Sequence, residues 1–124
     1  MRGIWMIGAA TLVAGCVSTP SLTGTRGAPS FEALQQMCGP QTVDYGQDAQ
    51  SVYVAFFDAF VAYRRGRLTQ DNFCGFQQSI AKQYTQYGTS SDPELRNRWV
   101  AFFNEQRALA ITWRSAVDPT LRSG

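Results

Sequence analysis

Apolar side chains return every three or four residues through most of the stretch from residue 30 to residue 117, and the pattern breaks at glycine and proline. Phe31, Leu34 and Cys38 form a first, short block, opened by Ser30 and closed by Gly39-Pro40. A helical repeat bounded by a cap and a breaker predicts a helix, here one too short to be stable without packing partners. The next segment, Gly39 to Gln47, has no period and is broken by Pro40 and Gly46, so it reads as an extended or irregular connection. Ala49, Val52, Phe56, Phe60 and Tyr63 then share one face of a long helix whose far end carries Arg64, Arg65 and Arg67. Positive charge there complements the negative end of the helix dipole; the rival reading is a phosphate or lipid-headgroup contact. Thr69 caps a third helix, with Phe73, Phe76, Ile80, Tyr84 and Tyr87 on its apolar face and Gly88 at its close. Asp92 and Pro93 open a fourth, in which Leu95, Trp99, Phe102, Leu109 and Trp113 are the expected inward stripe and Pro119 the stop.

The predicted fold class is therefore all-α, a small antiparallel bundle of three long helices with one short N-terminal helix clipped on. It would occupy residues 31–118, followed by a C-terminal tail at 119–124. Two segments are alike, "YVAFFDAF" from Tyr53 and "WVAFFNEQ" from Trp99. In an up-down bundle the helices carrying them run parallel, and a shared demand for a flat aromatic face accounts for the likeness better than a duplication does.

Ahead of the bundle, Arg2 precedes an apolar run from Ile4 to Ala14. A membrane-spanning helix needs about 20 apolar residues, so this run is too short to cross a bilayer and has the parts of a secretory leader. The residues that follow, Leu12-Val13-Ala14-Gly15-Cys16, resemble the lipobox of bacterial lipoproteins. That resemblance implies a signal peptide at 1–15, a diacylglycerol on the Cys16 thiol, cleavage before Cys16 and acylation of the new amino group, with palmitate among the acyl chains. Two or more acyl chains anchor a protein stably where one does not. Val17, rather than an aspartate, resembles the enterobacterial pattern for export to the outer membrane, which places the domain on its periplasmic side. An ordinary secretory leader or a buried N-terminal helix is the alternative. Residues 16–30 would be the lipidated cysteine and a flexible Ser-, Thr-, Gly- and Pro-rich tether, putting the domain a root-mean-square distance of about 20 Å from its anchor.

With Cys16 assigned to lipid, Cys38 and Cys74 remain, and in an oxidising compartment a disulfide between them is the preferred reading over two buried free thiols or an intermolecular bridge. The pairing sets a geometric condition. Cys38 precedes the second helix and Cys74 follows its far end, so the segment from Gly39 to Gln47 must run back, stretched, against the bundle.

Composition narrows the chemistry. Histidine is absent, which removes the commonest general base and transition-metal ligand, and two thiols are too few for a structural zinc site. No metal or other cofactor is expected. The formal charge of +2 is far from the strongly basic balance of a nucleic-acid binder. The helical acids Glu32, Asp48, Asp58, Asp71, Glu94 and Glu105 are scattered, and no phosphate loop, nucleophile elbow or dinucleotide turn occurs. Ser79 and Lys82 have the spacing of a Ser-x-x-Lys nucleophile without its companion motifs, and read as solvated helix residues. No small-molecule substrate is evident, and an enzyme is not expected.

What exceeds core filling is the surplus of apolar residues beside the stripes. Phe57, Val100 and Phe103 either widen the core or, with Arg107, make a partner-binding strip whose rim includes Glu94, Arg98 and Glu105. The expected function is a non-catalytic periplasmic lipoprotein, anchored in the outer membrane at Cys16, that binds another envelope protein as an assembly or accessory factor. Small helical lipoproteins with one disulfide resemble in architecture the pilotins that escort secretin subunits, although no pilotin motif is present. The alternatives are an immunity or inhibitor lipoprotein acting on a toxin or hydrolase, and a structural subunit of an envelope machine.

Overall fold

A computed structural model describes residues 28–118. The fold is all-α, with no strand among the described residues. Helix α1 spans Phe31–Gln36, α2 Ala49–Arg64, α3 Gln70–Gln83 and α4 Pro93–Val117. A short 3₁₀ turn at Gly46–Asp48 leads into α2, and a single π turn at Tyr84–Gly88 prolongs α3. The leader, Cys16, most of the tether and the tail at 119–124 lie outside the described residues.

The predicted caps form. Ser30 Oγ accepts from the Ala33 N–H at 3.1 Å, Thr69 Oγ1 from Asn72 at 3.0 Å and Asp92 Oδ1 from Glu94 at 2.9 Å, with Pro93 in the first turn. Each satisfies one of the donors that a helix start leaves unpaired. At the end of α2, Gly66 takes a left-handed φ of 86°. The N–H groups of Gly66 and Arg67 return to the carbonyls of Tyr63 and Ala62, which closes the helix as a Schellman turn. At the π turn, Gly88 lies against the Tyr84 ring so closely that any side chain there would collide with it.

Ring contacts give the topology. Phe60 meets Phe73 and Phe56 meets Phe76, so α2 and α3 run antiparallel; Phe76 meets Trp113 and Tyr84 meets Trp99, so α3 and α4 do too. Helices α2 and α4 are parallel, tied by Trp99 Nε1 to Asp48 at 3.1 Å, Arg114 to Asp58 at 2.8 Å and Arg65 Nη1 to the Val117 carbonyl at 3.0 Å. They pack on each other more extensively than either packs on α3. The core runs along α2, where Val52, Tyr53, Ala55, Phe56, Ala59 and Ala62 are buried, and takes in Phe31 and Leu34 from α1, Phe73, Phe76 and Ile80 from α3 and Trp99, Phe103 and Ala110 from α4.

That packing corrects the expected stripe on α4. Leu109 is 40% exposed, and Phe103, placed beside the stripe by spacing alone, is buried and stacked on Trp99 at 5.2 Å. The direct α2 contact rotates the buried arc of α4 toward Phe103 and Ala110, while Phe102 and Trp113 keep the side toward α3 half-buried. The two alike segments consequently do not bury alike faces. Phe56 is fully buried where its counterpart Phe102 is half-buried, and Phe57 is half-buried where Phe103 is buried.

Cys38 and Cys74 form a disulfide across 36 positions of sequence, with their Cα atoms 5.3 Å apart. The expected stretching of the connection from Gly39 to Gln47 is not required, because the segment lies along α3. It leaves Cys74, in the second turn of α3, and reaches Tyr84, where the Tyr45 ring packs with centroids 4.9 Å apart. Ten helical residues are about 15 Å. The position of Cys74 inside α3 shortens the path that Gly39 to Gln47 has to cover.

Candidate functional site

The stapled segment does not lie flat on α3. Between them is a cleft of about 420 Å³, with Cys38 and Val43 on its roof, Gln77 and Ala81 on its floor and Tyr45 and Phe56 among its walls. Three polar side chains organise it. Gln35, at the end of α1, accepts from the Val43 N–H at 2.8 Å and donates to the Val43 carbonyl at 3.5 Å. Its amide thus pairs with both backbone groups of one residue as a neighbouring strand would, and holds the roof. Gln77, on the buried face of α3, donates from Nε2 to the Leu34 carbonyl at 2.9 Å and ties α1 to α3. Tyr45 is 1% exposed, wedged among Phe31, Phe56 and Tyr84.

Electrostatically the cleft is neutral: no Asp, Glu, Lys or Arg lines it. Burial, reinforced by the neighbouring Tyr84, pushes the Tyr45 hydroxyl well above the usual phenol range, which keeps it protonated. Such a site can exclude ions, accept apolar groups and exchange hydrogen bonds with neutral ones. No group of acids and cysteines placed to hold a metal occurs among the described residues.

The residues singled out from sequence fall elsewhere. Phe57 is half-buried on the outer side of α2, with the Arg114 guanidinium 5.8 Å from its ring centre. Val100 is 48% and Ile111 46% exposed on α4, with exposed Arg107 between them, while Phe103 is withdrawn into the core. The expected partner strip is therefore discontinuous. Of its expected members, Val100 and Arg107 are exposed, Phe57 is half-buried and Phe103 faces inward. Ser79 donates its hydroxyl to the Phe76 carbonyl of its own helix at 3.1 Å. Cys16 lies outside the described residues.

Away from the cleft, Asp58 also has a shifted pKa. It is buried on α2, and burial pushes its carboxyl above the usual carboxylate value against the pull of Arg114, which donates to it at 2.8 Å. A carboxyl whose pKa is raised on folding holds its proton more tightly in the native state. Its contribution to stability is present below the unfolded pKa and is lost as pH rises through the folded one. Relative to Asp58→Asn, the wild type is accordingly expected to lose stability as pH rises from about 3 toward neutrality. Thermal midpoints of the two proteins across that range check the sign, and a difference independent of pH would refute it.

Gln35, Gln77 and Tyr45 were not singled out from sequence. Gln77 was within reach, because it lies three positions after Cys74 and three before Ile80, on the apolar side of α3. A polar residue on a stripe is a signal in itself. Tyr45 stands in the aperiodic segment between Pro40 and Gly46, where spacing carries no information about burial. No known protein family matches this chain, and neither the curated proteins nor the solved structures provide a match.

Proposed function

We propose that this protein is a lipoprotein of the bacterial envelope, anchored through Cys16 to the periplasmic side of the outer membrane, and that it acts without catalysis by binding an envelope protein. The anchoring half of the reading is supported by the lipobox Leu12–Cys16 and the small-residue tether behind it. No helix among the described residues is long and apolar enough to cross a membrane. The observation that carries the binding half is the neutral cleft roofed by the stapled segment, because a cavity of this size lined by apolar groups and a few directed polar ones has the make-up of a recognition site. The domain is also fixed at its root. Tyr53 donates its hydroxyl to the Pro29 carbonyl at 2.8 Å, so the chain enters α1 clamped to α2.

Two experiments separate the halves. Cys16→Ser is expected to leave the protein unprocessed or to move it from the membrane to the soluble fraction, and normal processing with unchanged fractionation would remove the lipid anchor from the reading. Crosslinking of the wild-type protein in its own membranes is expected to recover one envelope protein in fixed ratio. Recovery of a secreted toxin or hydrolase instead would identify an inhibitor, and recovery of several subunits together a structural component.

A further inference from the structure

We propose that the cleft between the 39–45 segment and α3 binds an uncharged, extended peptide segment through one of its amide groups. Two buried polar atoms point to this chemistry. Tyr45 and Gln77 are 1% and 5% exposed and both line the cleft. The Tyr45 hydroxyl has no hydrogen-bond partner among the described residues. Gln77 uses Nε2 on the Leu34 carbonyl, and its Oε1 accepts from no described residue. Buried donors and acceptors are nearly always paired in folded proteins, and leaving one unpaired costs free energy. With both groups turned to the cleft, the site offers a hydroxyl donor and a carbonyl acceptor. An amide is the neutral group that answers both, its C=O taking the hydroxyl proton and its N–H reaching Oε1.

Charge and shape narrow the ligand further. A carboxylate or ammonium would be desolvated in the cleft with no ion to meet it, a heavy penalty that a neutral amide avoids. Val43, Phe56 and Ala81 supply apolar wall for the groups flanking the amide. The roof favours a peptide over a small free amide. The backbone N–H groups of Gln41, Thr42 and Asp44 make no hydrogen bond to any described residue, whereas the N–H and C=O of Val43 are engaged by Gln35. A non-helical segment with open N–H groups beside a pocket can take a peptide along its edge while one of that peptide's side chains or peptide units enters the pocket. This inference rests on the partner-binding reading only for the origin of the peptide. The recognition chemistry is a property of the domain.

The test uses the oxidised full-length chain, isotope-labelled for NMR and titrated with three probes. These are the capped tetrapeptide acetyl-Ala-Asn-Val-Ala-amide, the same peptide with Asp in place of Asn, and N-methylacetamide. The expected result is saturable shifts centred on Gln35, Val43 and Gln77 with the neutral peptide, weakened at least fivefold when Asp replaces Asn and at least fivefold in Tyr45→Phe. Tyr45→Phe removes an unpaired hydroxyl and keeps the ring, so its thermal midpoint is expected to equal or exceed that of the wild type; a purely structural tyrosine would lose stability and leave binding unmoved. Absence of localised shifts with every probe, or equal binding by Tyr45→Phe or by the charged peptide, would overturn the assignment. Binding of N-methylacetamide as tight as that of the peptide would overturn the peptide and leave a small-amide site. Peptide binding without any crosslinked partner in membranes would sink the envelope-partner reading alone.

Discussion

Replacing Cys38 and Cys74 together by serine is expected to lower the unfolding free energy by about 4 kcal/mol. In a domain of this size that corresponds to a fall in thermal midpoint of roughly 15–30 °C. The magnitude follows from the loop that the disulfide closes. With 36 positions between the cysteines, the reduced unfolded chain regains much of the freedom that the bond removes. The native state has little to set against this, because α1 has only six residues and the segment behind it makes few hydrogen bonds besides those of Val43 with Gln35. The loss should also be uneven. Amide exchange is expected to quicken in α1 and the roof segment before it quickens in α4, which carries neither cysteine. Thermal scans of the oxidised protein, the reduced protein and the double serine variant measure the first effect. A shift of only a few degrees in both reduced forms would mean that packing of Phe31, Leu34 and Tyr45 holds the segment without the bond.

The second large effect concerns the two alike segments. Phe56→Ala is expected to cost about 3–5 kcal/mol, the usual range for removing a fully buried phenylalanine. Its ring lies within 5.7 Å of Phe31, 6.2 Å of Tyr45 and 6.1 Å of Phe76, so one truncation loosens α1, the roof and α3 together. Phe102→Ala, at the matching place in "WVAFFNEQ", should cost roughly half as much, because a half-buried ring gives up less apolar area. Denaturant unfolding of both variants, compared at equal slopes, decides it. Equal losses would show that the two segments carry equal weight in the core despite their different burial.

That contrast also marks how much of the fold is legible in the sequence. The starts of α1, α3 and α4 were legible because Ser30, Thr69 and Asp92 are residues whose side chains reach back to helix N–H groups. The stripes on α2 and α3 were legible because one face of each meets the core. Spacing on α4 defined an apolar side but not its neighbour. Phe103 and Leu109 flank Trp99 on opposite sides of the helix, and only the parallel packing against α2 chooses Phe103. The disulfide was the preferred of three readings, and the structure joins Cys38 to Cys74. The cleft was the least visible feature. It depends on a buried tyrosine in an aperiodic segment and on two glutamines whose partners lie eight and 43 positions away, Gln35 with Val43 and Gln77 with Leu34.

The clamp between Tyr53 and Pro29 acquires another meaning if the chain is held at its N-terminal side, as the lipobox implies. Load drawn through that end would first meet the Tyr53–Pro29 hydrogen bond and the packing of Phe31. If these gave way, α1 could peel off residue by residue, but unravelling would halt at Cys38, which is covalently joined to Cys74 in α3. From Pro29 to Cys38 the released chain would lengthen the leash by at most about 30 Å. Beyond that point the force would bypass the roof segment and the whole of α2 and enter α3 directly. The disulfide is then a mechanical stop: it sets the maximum travel of the domain from its anchor and keeps α2, with most of the core, out of the line of tension.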